Sequence, residues 1–214
     1  MNTILYNHWY VNVDYGLGRL TNDEIHSNGM RLARKLYAYR WTEECIAAIV
    51  GNVNAESGLN SCSTENPRPW GDYLPDNQEV LQSSYLRGMG FVQWTPGRDK
   101  IVIFADSIGL QWYDGDAQVQ RLKWECDNGQ QMPAVNWNWF IHSHADLDEM
   151  SDFWLTAYER PTPEEAEASK PERRRLTHYW YHEIHGKLHN AVDYFTWSKK
   201  NRIRKELKRP CRRL

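Results

Sequence analysis

Residues Trp41–Asn60 read WTEECIAAIVGNVNAESGLN, and the organisation of the chain follows from them. Thr42 is suited to cap a helix whose first turn holds Glu43 and Glu44, acidic side chains at the positive end of the dipole. Ile46, Ile49, Val50 and Val53 follow at the spacing of one buried helical face. Gly58 stands where a helix closes in a left-handed cap, with Leu59 placed to pack back on the last turn. Between these signals lies Glu56, in the final turn of a largely apolar helix. The negative end of the dipole and apolar neighbours would both disfavour its ionised form, the condition a general acid needs near neutral pH. The competing reading is a solvated Glu in a fraying turn, and this stretch alone does not decide between them.

Further motifs follow in order: Gly88-Met89-Gly90-Phe91-Val92-Gln93-Trp94-Thr95, then Gly97-Arg98, then Tyr158-Glu159-Arg160-Pro161. With ESGLN closing a helix before them, they make the chain resemble the phage tail lysozyme family. That family sits in the lysozyme-like superfamily with goose-type lysozymes and lytic transglycosylases. The resemblance spans residues 41–181 and implies a mainly α, lysozyme-like helical domain with a small irregular or β-containing cleft wall. It implies cleavage of peptidoglycan at the β-1,4 bond between N-acetylmuramic acid and N-acetylglucosamine, with Glu56 as general acid. Gln93 would bind substrate through the Gly-x-x-Gln turn, and Trp94 would either stack on a sugar or support the turn from beneath. Ala157-Tyr158 resembles the Ala-Tyr of lytic transglycosylases, which places Tyr158 near the catalytic Glu; the usual Asn after it is Glu159 here.

At 214 residues, the length suits one domain with a proper core. The expected division is an N-terminal arm over 1–20, a catalytic domain over 21–197 and a basic tail over 198–214. Residues 199–214 carry nine Lys and Arg against Glu206, a net +8, which leaves −10 on the rest of a chain whose total is −2. The 11 Trp and 12 Tyr, against 5 Phe, supply flat faces with polar edges that suit both a core and sugar stacking. No apolar run approaches the roughly 20 residues of a membrane span. The first residues, MNTILYNHWYVNVDYG, lack the basic and apolar regions of a secretory signal, so synthesis in a host cytoplasm is expected. Cys45, Cys62, Cys126 and Cys211 show no metal-ligand spacing and read as thiols.

Along the chain, residues 1–20 suggest an extended arm, and Thr21-Asn22-Asp23-Glu24 is a capping box opening a helix to about Tyr39. Residues 61–87 lose helical periodicity and hold three candidates for a second carboxylate: Glu65, Asp72 and Asp76. Asp72 is preferred, because the turn at Trp70-Gly71 would hold it beside an aromatic wall. Thr95-Pro96 reads as the start of a helix to Ile108, and Asp114 as the cap of another ending at Gly129. Trp137, Trp139 and Phe140 read as an aromatic loop, followed by a helix from about Leu147 broken at Pro161. Ser169-Lys170-Pro171-Glu172 then suggests a second capping box, opening a helix to His185.

His178, His182, His185 and His189 offer metal-chelating pairs at helical spacing, but HExxH is absent and no third ligand is evident. No metal and no cofactor are expected. The basic tail would bind nucleic acid only non-specifically, and the acidic body argues against that, which leaves an acidic virion partner or anionic wall polymers. A tail-associated virion lysozyme acting on the host wall is the expectation. A lytic transglycosylase, a released endolysin and a non-catalytic tail or wall-binding module are the alternatives.

Overall fold

The computed structural model describes residues 3–13, 19–65, 70–71, 73–83 and 87–188. A short antiparallel hairpin, β1 (Thr3–Tyr6) and β2 (Trp9–Asn12), pairs Leu5 with Tyr10 and precedes the helices. α1 (Asn22–Tyr37) opens on the Thr21/Glu24 capping box expected from sequence. α2 (Glu43–Ser57) begins at the Thr42 cap and closes at Gly58 in left-handed conformation. α3 (Asn77–Gln82) follows, then a π-helical turn, Arg98–Val102, that runs into α4 (Ile103–Ser107). α5 (Gly115–Asp127), α6 (Ala134–His142) and α7 (Leu147–Phe153) come next. A second π-helical turn, Trp154–Glu159, extends α7, and α8 (Pro163–Ile184) is the longest element described. The architecture is mainly α, as the sequence implies.

α2 is the centre of the packing. Every residue from Cys45 to Val53 is buried, so the helix is covered on all sides rather than on the single face its periodicity suggests. α1, α6, α7 and α8 supply that cover. The closest approach is at Gly51, where an added Cβ would lie 2.7 Å from the backbone nitrogen of Thr177 in α8. Only glycine lets two helix backbones come so near. The N-terminal hairpin joins the same core. Trp9 is fully buried against Phe91, with ring centroids 5.4 Å apart, and its indole N–H donates to Asp116 at 2.7 Å. Buried Asn60, just beyond the end of α2, accepts from the Asn12 backbone N–H at 3.3 Å and donates to the Asn12 carbonyl at 3.1 Å.

Three local expectations are corrected. Trp137–Phe140 is helical, within α6, because Trp137 and Phe140 turn the same way into the core. Thr95-Pro96 is not the cap and first residue of a helix: the Thr95 hydroxyl donates back to the Gln93 carbonyl, the Pro96 carbonyl accepts from the Lys100 N–H at 3.1 Å, and helical structure begins at Gly97. α8 begins at Thr162, whose hydroxyl accepts from the Glu165 N–H with Pro163 in the first turn, and it continues through Pro171. Ser169 lies inside that helix, its hydroxyl bonded to the Ala166 carbonyl, so the second capping box is not used. Among the described residues no helix is long and apolar enough to cross a membrane.

Candidate active site

Glu56 lies one residue before the end of α2 with its side chain 30% exposed. It is not enclosed by apolar groups as the sequence suggests: Arg173 of α8 donates to its Oε2 from Nη2 at 2.7 Å. The other arm of that guanidinium, Nη1, reaches Glu159 Oε2 at 2.8 Å and Asn52 Oδ1 at 3.0 Å. Arg173 therefore joins two carboxyl groups, one partly open and one deep, through a single planar fork. Glu159 also accepts from the Trp154 indole N–H at 2.9 Å. Burial pushes Glu159 up to about 8, which Arg173 opposes and the nearby Glu56 reinforces.

The chain that leaves α2 is joined to the Gly88–Thr95 turn to form a short wall. Thr64 and Met89 form an antiparallel bridge, and Met89 pairs back with Trp94, closing the Gly88–Thr95 turn on itself. Gly90, at φ +82°, sits 2.8 Å (as a would-be Cβ) from the buried Gln118 carboxamide. A side chain there would meet both backbone strain and that contact. Gln118 accepts from the Phe91 N–H at 2.8 Å and donates to the Ser61 carbonyl at 2.7 Å, tying the turn to the chain that leaves α2. Gln93 is half-buried in the left-handed region at φ +49°, and its carboxamide donates to the Gly90 carbonyl at 2.8 Å.

Trp94 and Tyr158 lie behind this turn, 2% and 1% exposed. The Trp94 indole N–H and the Tyr158 hydroxyl both donate to buried Glu125, at 3.0 and 2.6 Å, and Arg121 donates to the same carboxylate at 2.9 Å. Burial, with the Glu125 charge beside it, holds the Tyr158 hydroxyl well above its ordinary range, so it stays a neutral donor.

Of the three candidate second carboxylates, Asp72 lies outside the described residues. Glu65 accepts from the Gly88 N–H at 3.1 Å and so belongs to the wall, while Asp76 caps α3 by accepting from the Glu79 N–H at 2.8 Å. The histidines diverge: His178 bonds Asp148 at 3.0 Å, His182 bonds Glu183 at 3.3 Å and His185 bonds Glu43 at 2.9 Å. Among the described residues no three His, Cys, Asp or Glu side chains converge as a metal site. His189 and the basic tail lie outside the described residues.

Sequence reasoning passed over Arg173, Glu125 and Asn52. Arg173 looks like one of three equal arginines in Arg173-Arg174-Arg175. The available signal is phase: Arg173 recurs with Thr177, Trp180 and Ile184 on the buried face of α8, while Arg175 faces outward to Glu172. Asn52 stands one helical turn before Glu56 on α2, which puts both on the face that meets Arg173.

A buried central helix ending in a partly open glutamate, followed by a short bridged wall, is the frame of a mainly α, lysozyme-like domain. The phage tail lysozyme family model matches residues 27–184, and the chain belongs to that family. It is also 30% identical over 171 residues to Morphogenesis protein 1 of Bacillus phage B103. That match takes in 78% of this chain but 42% of the relative, so the chain spans well under half the relative's length.

Proposed function

We propose that this phage lysozyme-like domain is a muramidase, cutting the β-1,4 bond between N-acetylmuramic acid and N-acetylglucosamine with Glu56 as general acid. The observation that carries this reading is the setting of Glu56. It is the partly open carboxyl group at the end of the central helix, fixed by a buried guanidinium, and the chain leaving that helix is hydrogen-bonded to the Gly88–Thr95 turn. Protonated Glu56 donates to the leaving O4 as oxocarbenium character develops at the anomeric carbon. Gln93, half-buried on the turn, hydrogen-bonds acetamido or hydroxyl groups of the sugar. For Trp94 and Tyr158, burial favours support of that turn over contact with the glycan; both work through Glu125.

Asp72 is the proposed second carboxylate, positioning water at the opposite face of the sugar. Its flanks support this: Trp70 is anchored against Trp112 with centroids 5.9 Å apart, and Gly71 turns at φ +63°. Near-normal rates for Asp72→Asn would remove it from the mechanism. Glycan fragments ending in an anhydro sugar, lighter by one water, would replace hydrolysis with internal attack by the muramoyl 6-hydroxyl.

The biological setting is the virion, where a tail-associated lysozyme opens the wall locally. The family match and the phage morphogenesis relative support it. The basic segment 198–214 would dock onto an acidic virion surface through contacts that weaken with salt. The deciding experiments are two. A folded Glu56→Gln protein should fail to clear cell-wall suspensions, by the roughly 10²–10⁴-fold that proton transfer supplies; wild-type clearance would remove Glu56 from the mechanism. Proteomics of purified particles should find the protein, whereas abundance in lysates alone would make it a released endolysin.

A further inference from the structure

An acid that rests in an ion pair with arginine presents a chemical problem, and the arrangement around Arg173 answers it. We infer that Glu56 and Glu159 share a single proton across Arg173, with Glu159 acting as a positioning residue that holds the proton at rest and takes over the arginine when Glu56 becomes the acid. The inference rests on the reading of Glu56 as proton donor.

Charge counting and geometry carry it. With both carboxyl groups ionised, the three side chains hold a net charge of −1; with both protonated, +1; with one proton, zero. Arg173 and Glu159 are only 10% and 11% exposed, an environment that disfavours either net charge. Of the two carboxyl groups, Glu159 is the deeper and Glu56 the more open, at 30%. At rest the proton therefore sits on Glu159, in line with the upward push that burial gives it. A sugar covering Glu56 removes water from that carboxyl group as well. The difference in burial that kept the proton on Glu159 then shrinks. The state with the proton on Glu56 and Glu159 ionised against Arg173 then becomes populated: Glu159 releases one proton to solvent and Glu56 takes one up. One proton leaves and one arrives, so the net charge is zero before and after the exchange.

The charged groups that act most strongly on Glu159 are Arg173 from α8 and Glu56 from α2. Trp154 from its own helix and Asn52 from α2 contribute neutral hydrogen-bonding groups to the cluster. Other charges on α7 and α8 are paired with one another: Arg174 and Lys170 with Asp152, and Arg175 with Glu172.

The test uses the full chain. Side-chain ¹³C NMR titration should show Glu159 changing near pH 8 in the wild type. In Glu56→Gln its midpoint should fall by about half a unit or more, because a neighbouring negative charge is gone. An unmoved midpoint would overturn the inference. In wall-clearance assays, Glu159→Gln should move the alkaline limb of kcat/KM to lower pH by about one unit, roughly tenfold in rate on that limb. A uniform loss with the limb in place would mean a purely structural Glu159 and would also overturn it. If Glu159→Gln does not fold, the Glu56→Gln titration still decides. Clearance by Glu56→Gln sinks the proposed acid and, with it, the catalytic purpose of the shared proton, while the titration reports the coupling separately.

Discussion

Gly51 of α2 and Thr177 of α8 touch backbone to backbone, with an added Cβ at Gly51 falling 2.7 Å from the Thr177 nitrogen. Thr177 lies one turn after Arg173, and Gly51 immediately precedes Asn52. This contact sets how far Arg173 stands from the carboxyl groups it joins.

Gly51→Ala is therefore expected to cost about 1–3 kcal/mol, the usual range for forcing a methyl group into a packed contact. The loss of wall clearance should exceed what the unfolded fraction explains, since the two helices must separate at the site. Urea melts paired with clearance rates test this; full specific activity in the folded fraction would contradict it.

Glu159→Gln should change how stability responds to pH. Glu159 is raised in the folded protein to about 8 from an ordinary 4.5. Between those values the folded chain keeps a proton that the unfolded chain has released, so the unfolded state binds fewer protons and stability falls as pH rises. The stabilising contribution is complete below about pH 4.5, is lost through about pH 8, and changes no further above it. At about 1.4 kcal/mol per unit, the span amounts to several kcal/mol. Gln copies the neutral carboxyl group. The stability of Glu159→Gln relative to wild type should therefore climb from pH 5 to pH 8 in thermal melts, and a constant difference would refute the assignment.

Tyr158→Phe keeps the buried ring and deletes one of the donors to Glu125. A hydrogen bond to a charged acceptor is worth about 1.5–3 kcal/mol. A loss of that size is expected in chemical denaturation, accompanied by a change in Trp94 emission as its shared acceptor shifts. Unchanged stability would mean the Glu125 cluster contributes little to holding the turn.

Chelation by EDTA is expected to leave wall clearance unchanged. The motive is the ligand set: His178, His182 and His185 reach three separate carboxylates. Loss of activity on chelation, restored by zinc, would return attention to the histidines and demote Glu56.

The readable parts of the fold are those decided within a few residues. The Thr21/Glu24 box, the Thr42 cap, the Gly58 closure and the Asp114 cap are bonds between near neighbours. Sequence alone also places Glu56 at its helix end. The partners of Glu56 were not readable, because Arg173 is 117 positions away and shares its composition with two adjacent arginines. Trp94 shows a different limit. Its motif marks an important turn, but whether its face meets sugar or core depends on Glu125, 31 residues downstream. The two possible capping boxes near α8 show a third. Both satisfy the local pattern, and the Thr162/Glu165 box with Pro163 in the first turn is the one the helix uses.

Pro171, inside α8, has one more consequence. Lacking an amide hydrogen, it leaves the carbonyl of Glu167 without its rung in the helix ladder. The first turns, from Pro163 to Lys170, can thus open and close as a unit of their own, while the segment from Glu172 to Ile184 stays clamped against α2. Amide exchange in α8 should accordingly fall into a fast class and a slow class divided at that residue. Arg173 stands on the slow side, so opening of the first turns is expected to leave its hold on Glu56 intact.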